Sequence, residues 1–222
     1  MALSLQPPPS PLATAAWLLK DGYPAGLRCM QVALQQGSAR YGKFRRMSQS
    51  EANAPRDSAE AASVADERTM LAAFLDLYRD IIRRKVRGVS EADARRRLVP
   101  SMTTLGGLVK HLYWVELSWF QRVLAGRAAE DLPPVPWTDQ DPDADFRMEP
   151  DETVEQLIAA YDRACAQSRA AAASRALDDT VAHHRMGQVS LRWIYLHMIE
   201  ETARHAGHAD ILREQLDGST GD

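Results

Sequence analysis

Two cysteines in 222 residues, Cys29 and Cys165, leave no material for a disulfide framework or a cysteine zinc site. A reduced, cytosolic compartment is therefore expected. Long hydrophobic runs are also missing. The longest early one, 12–19, falls far short of the roughly 20 residues that span a bilayer, and no basic leader precedes it. Net charge is small, with 27 Lys and Arg against 30 Asp and Glu, which gives no basic coat for nucleic acid. Strand-like alternation of useful length is absent too. What remains is an expectation of an all-α protein that works with neither membrane nor nucleic acid.

The charge is unevenly spread. Residues 1–50 carry six Lys and Arg and one acid, and six of the twelve prolines lie within residues 1–55. Residues 1–62 show no sustained period; they hold a proline triplet, a basic cluster at Lys43, Arg45 and Arg46, and an Ala/Ser/Glu-rich end. Such a segment buries too little apolar surface to offset its ordering entropy. The reading is a low-structure N-terminal arm over 1–62 and a helical domain over 63–222, with Met47 or Met70 as alternative starts of translation.

From residue 64 onward helical spacing takes over. Leu71, Phe74, Leu75, Tyr78, Ile81 and Ile82 recur at three- and four-residue intervals and predict a helix over 66–87, ended by Gly88. Ser90 and Asp93 open a short helix to about residue 98. A second long helix is predicted over 104–124 and closed by Gly126. An acidic, proline-rich loop follows over 130–148. A third long helix starts at Pro150, with Asp151 and Glu152 in its first turn, and runs to about residue 176. After a loop carrying His183 and His184, Ser190 caps a fourth helix ending at Gly218. Four amphipathic helices of this length imply an antiparallel four-helix bundle.

The fourth helix carries the chemistry. Leu191, Ile194, Met198, Thr202, Ala209, Leu212 and Leu216 share one face. Glu201 and His205, an i, i+4 pair, point about 60° and 20° from its centre. A buried, unpaired carboxylate is penalised by several kcal/mol, roughly, so Glu201 needs a partner. His197 and His208 lie on the flanks of the same face, and Glu200 points away to solvent. On the second helix His111 borders the stripe of Leu105, Leu108, Leu112, Val115 and Trp119. His111, Glu201 and His205 would form a two-His, one-carboxylate set with open coordination positions, the pattern of catalytic zinc. Taken singly, His111 reads as a hydrogen-bonded core-edge residue, and E-x-x-x-H as a helix-surface pair. Both readings stand open on the residues alone. Cys165 reads as a packed thiol, Trp114 and Trp119 as packing residues.

The segments TLGGLVKHLYWVELSWFQRVLAG, DPDADF and VSLRWIYLHMIEETARHAGHADILREQLDG resemble the DinB-like superfamily, in the actinobacterial branch akin to mycothiol-dependent maleylpyruvate isomerase. The resemblance covers about residues 64–221. It implies an antiparallel four-helix bundle with a divalent metal, often zinc, held by three side chains. Its ligand positions fall on His111, Glu201 and His205, with Glu201 standing where many relatives have histidine.

The resemblance further implies a thiol S-transferase or isomerase using mycothiol or another low-molecular-weight thiol, activated as a metal-bound thiolate and directed at an electrophile. His208 and His197 are then candidates for proton transfer or for support of the ligands. Rival readings are a non-catalytic metal-binding bundle, such as a stress-associated homodimer, and a metal-dependent hydrolase.

Overall fold

The structure, a computed structural model, describes residues 54–221. Residues 1–53, with Cys29 and the basic cluster of the expected arm, lie outside the described residues. The elements in chain order are α1 (Ala54–Ala61), a 3-10 turn (Ala62–Val64), α2 (Glu67–Val86), the short α3 (Glu91–Ala94), α4 (Leu105–Glu116) running on into a π-helical segment (Leu117–Leu124), α5 (Val154–Ala173), the strands β1 (Thr180–His183) and β2 (Gly187–Ser190), and α6 (Leu191–Asp217).

Helix ends follow side-chain chemistry. Asp66 accepts from the Thr69 amide at 3.1 Å to open α2, and Ser190 accepts from the Trp193 amide at 3.2 Å to open α6. Gly218, at φ 77°, closes α6 in the left-handed region, its amide donating to the Glu214 carbonyl at 2.8 Å. The third long helix departs from expectation. It begins at Val154 rather than Pro150, because Thr153 and Gln156 form a reciprocal capping box. The helix predicted over 90–98 is only the single turn of α3.

Two further expectations need correction. The chain is mostly helical but not all-α: β1 and β2 pair antiparallel, Val181 opposite Val189 and His183 opposite Gly187. Strands of four residues offer too few alternations to be seen as a period, and here Val189 is anchored in the core while its neighbours face solvent. His183 is consequently a strand residue, not a loop residue. The far end of the segment expected to lack structure, 54–62, is helical and lies against α2, with Ala59 and Ala62 buried. An eight-residue helix is too short to announce its period.

Helix α2 lies against α6, and α4 with its π segment lies against α5. Beside a small apolar group at Trp114, Leu117 and Ala164, the interior described holds two larger ones. One gathers Ile82, Leu108, Leu112, Tyr161 and Leu212; the other gathers Leu75, Phe120, Leu124, Ile194 and Met198. Arg79 on α2, 2% exposed, grips Glu116 at the end of α4, 1% exposed, through Nε and Nη2, each at 2.7 Å. Removing one partner of such a pair strands a buried charge.

One packing contact sets up everything at the other end of α4. Thr104 caps that helix by accepting from the Gly107 amide at 3.0 Å. The loop turn Ala144–Phe146 then presses onto the opened first turn, so closely that a Cβ at Gly107 would collide with the Phe146 carbonyl oxygen. Only glycine permits that approach. Gly107→Ala is expected to lift the loop and lower stability by about 1–3 kcal/mol, a fall in Tm of roughly 2–10 °C for a domain of this size. Thermal unfolding followed by circular dichroism reads it, and an unchanged Tm would show that the loop yields freely.

Candidate metal centre

His111 and its two partners come together from helices far apart in sequence. α4 supplies His111, and α6 supplies Glu201 and His205 one turn apart. All three are buried, and one donor atom from each lies within 4.8 Å of the others. His111 Nε2 and His205 Nε2 both meet Glu201 Oε1, at 3.2 Å each. The two imidazole rings stand edge to face, with centroids 4.8 Å apart.

The charge of Glu201, whose side chain is 1% exposed, is sustained by these neighbours. Burial disfavours its ionised form, yet the hydrogen bonds from His111 and His205 outweigh that and hold the carboxyl well below the usual carboxylate range. Arg204, half in solvent, adds a contact from Nη1 to Glu201 Oε2 at 3.3 Å.

His111 is gripped from behind. Its Nδ1–H donates to Asp145 Oδ2 at 2.7 Å, and the Phe146 ring stacks on it with centroids 4.1 Å apart. Burial pushes the His111 pKa down, but the bonds to Asp145 and Glu201 win and raise it above the ordinary histidine value. His205 moves the other way: burial keeps it neutral, its bond to Glu201 notwithstanding. A carboxylate fixing Nδ1–H leaves Nε2 as the ligating nitrogen, the arrangement seen behind metal-bound histidines. Two imidazole nitrogens and a carboxylate oxygen, buried and convergent, suit a divalent cation of zinc type. The buried Asp145 Oδ1 makes no hydrogen bond among the described residues.

The flanking histidines part company. His208, half-buried, sets its Nδ1 3.4 Å from His205 Nδ1, and burial lowers its pKa. His197 lies one turn from Glu201 along α6 but packs into an aromatic group. It stacks on Trp193 with centroids 5.1 Å apart and meets Trp119 edge-on at 4.6 Å. Its pKa is also lowered by burial. His183 stacks on Trp119 from the hairpin side. Cys165 is fully buried in α5, and burial pushes its thiol up to about 12, which removes it as a nucleophile at neutral pH. Asp145 was not among the expected site residues, although its loop motif drew attention. The usable signal was the Gly106–Gly107 pair, which marks a close backbone approach.

Asp145→Asn is expected to lower the His111 pKa and to weaken Zn²⁺ binding by about 10–100-fold while the fold persists. Imidazole ¹⁵N titration by NMR reads the first effect and calorimetric titration with Zn²⁺ the second. An unmoved His111 pKa would show that Asp145 does not govern this ring.

The family model described as mycothiol-S-transferase matches residues 70–218, a span that holds all three convergent donors and Asp145. Comparison with curated proteins gives no match. Among solved structures, the chain is similar to a conserved protein from Enterococcus faecalis at TM-score 0.55 and 15% identity, covering 69% of this chain and 99% of that one. At that identity the likeness speaks for the fold alone. No described helix is long and apolar enough to cross a membrane.

Proposed function

The chain belongs to the mycothiol-S-transferase family, and from that premise we propose that it is a metal-dependent thiol S-transferase in which His111, Glu201 and His205 hold a divalent cation, with Zn²⁺ favoured. The co-substrate in this reading is mycothiol, and the second substrate is a small electrophile. The supporting scaffold in this reading is an antiparallel four-helix bundle of the long helices, flanked by α1 against α2. The observation that carries the reading is the convergence of two imidazoles and one carboxylate, within 4.8 Å, inside the matched span.

A divalent cation here would supply one thing, a lowered thiol pKa, so that an approximately 8.5 group ionises at neutral pH. The protein side chains do the rest. Glu201 contributes the negative charge of the donor set, and Asp145 keeps His111 facing it. His205 and His208, joined through their Nδ1 atoms at 3.4 Å, form a path from the donor set towards the half-buried edge of α6. With both rings neutral and His205 Nε2 turned to the donor set, the His205 Nδ1–H would donate to His208 Nδ1, and His208 would take a proton from the entering thiol at that Nδ1 when this contact opens. His197, held between Trp119 and Trp193, is less suited to that task and serves as wall. The Cys165 thiol, buried and pushed up to about 12, stays protonated, so in this reading the reactive sulfur arrives with the co-substrate.

Purified protein should contain about one equivalent of divalent metal per chain by elemental mass spectrometry, and His205→Ala should lose most of it while staying folded. Conjugation of mycothiol to monochlorobimane should be accelerated, should stop with chelator and return with Zn²⁺, and should survive Cys165→Ser. Full metal occupancy in His205→Ala would overturn the ligand assignment. Turnover of ester or amide substrates without thiol would replace the transferase reading with a hydrolase.

A further inference from the structure

The two helices that carry the three donors meet again beside the hairpin. Trp119, in the π segment that continues α4 beyond His111, touches His197, which precedes Glu201 by one turn of α6. Further ring contacts extend from that pair. Trp193 stacks on His197 with centroids 5.1 Å apart and tilts against Trp119 at 5.2 Å. His183 lies flat on Trp119 at 5.3 Å, and His184 stacks on His183 at 4.7 Å. A shelf of rings, drawn from the π segment, α6 and the hairpin, thus begins one turn from the donor set.

Packing accounts for only part of this shelf. The His197 side chain is enclosed at 11% exposure, but Trp193 remains 38% exposed. Leu196, three residues along the same helix, is 53% exposed. Met186, at 41%, lies against the hairpin end of the shelf, its amide donating to His183 Nδ1 at 3.3 Å. Large apolar side chains left open together mark a surface that something apolar covers.

The rings set the electronics of that ligand. Indole faces carry the negative side of the ring quadrupole, so they favour a flat partner depleted of electrons. A cationic ring is opposed at the hairpin, where burial and then the charges of His184 and Arg185 lower the His183 pKa. A nucleophilic thiolate makes a matching demand, because it attacks carbon that is poor in electrons. Trp193 precedes Glu201 by eight residues, about 12 Å along the helix axis. A substituted ring and a thiol sulfur, placed end to end, fill that length.

We propose that the shelf of Trp119, Trp193 and His183 binds a neutral, electron-poor aromatic ring, with the reactive carbon at the His197 end. That this ring belongs to the electrophile rests on the transferase reading; that the shelf binds it does not. For an aryl chloride, the thiol sulfur bonds to the ring carbon and the carbon–chlorine bond breaks. Chloride leaves with the bonding pair, and the thiol proton passes to His208.

The test uses the full chain with an unreactive ring and two reactive probes. Saturation-transfer NMR should show 1,3-dinitrobenzene, which has no leaving group, bound even in the presence of chelator. Anisole, an electron-rich ring, and nitrocyclohexane, which has no π face, should each bind about fivefold more weakly. Trp193→Ala should weaken 1,3-dinitrobenzene by a similar factor, and Trp193→Phe should recover most of the loss. In conjugation with mycothiol, Trp193→Ala should raise KM for 1-chloro-2,4-dinitrobenzene about fivefold. Kinetics with iodoacetamide, which carries no ring, should not move. Absence of saturation transfer to 1,3-dinitrobenzene would overturn the proposal. So would nitrocyclohexane or anisole binding as tightly, binding undiminished in Trp193→Ala, or an equal rise in KM for iodoacetamide. Ring binding with these dependences but no conjugation of either electrophile would uphold the shelf and overturn the transferase reading.

Discussion

A carboxylate sealed from water must be met by positive charge, and Glu201 imposes that demand on three other segments. With its side chain 1% exposed, it sits where an unpaired charge would be intolerable. His205 answers from the next turn of the same helix, and His111 answers from α4. His111 in turn has to be held in place, which brings in Asp145 and Phe146 from the long loop. That loop can reach His111 only because Gly107 opens the first turn of α4 to the Phe146 carbonyl. A chain of requirements thus runs from one buried charge to a glycine on another helix.

The long helices and two of the three convergent donors, Glu201 and His205, were visible in the amino-acid sequence because they obey the same period, whereas His111 only bordered its stripe and is buried all the same. Leu191, Ile194 and Met198 define the inward face of α6, and counting at about 100° per residue from them lands on Glu201 and His205. Caps at Asp66, Thr104 and Ser190, and the terminator Gly218, are equally local and could be read directly. Asp145 follows no period. Its partnership with His111 spans 34 positions, and nothing near it in sequence encodes the direction from which the loop approaches. The hairpin was hidden for a related reason: Val181 and Val189 make a single inward-facing pair, which is no pattern at all. The π segment, with ordinary residues at ordinary spacing, differs from α-helix only in a hydrogen-bond register that packing selects.

The interior holds a second sealed carboxylate, Glu116, and the two are neutralised by different chemistry. Arg79 meets Glu116 with a bidentate guanidinium; burial works against its charge, but Glu116 outweighs burial and holds the pKa well above the ordinary arginine value. That cation does not exchange. It fixes the junction of α4 and the π segment and positions Phe120 beside it.

Glu201 is met instead by imidazoles, whose charge is exchangeable near neutral pH and whose nitrogens can present lone pairs once neutral. His111 and His205 are moreover driven in opposite directions, one raised by carboxylates and one lowered by burial. Of two carboxylates equally hidden from solvent, only the one whose counterions are replaceable is suited to take up a cation. The choice of histidine at one and arginine at the other therefore separates a carboxylate with exchangeable counterions from one whose counterion is fixed.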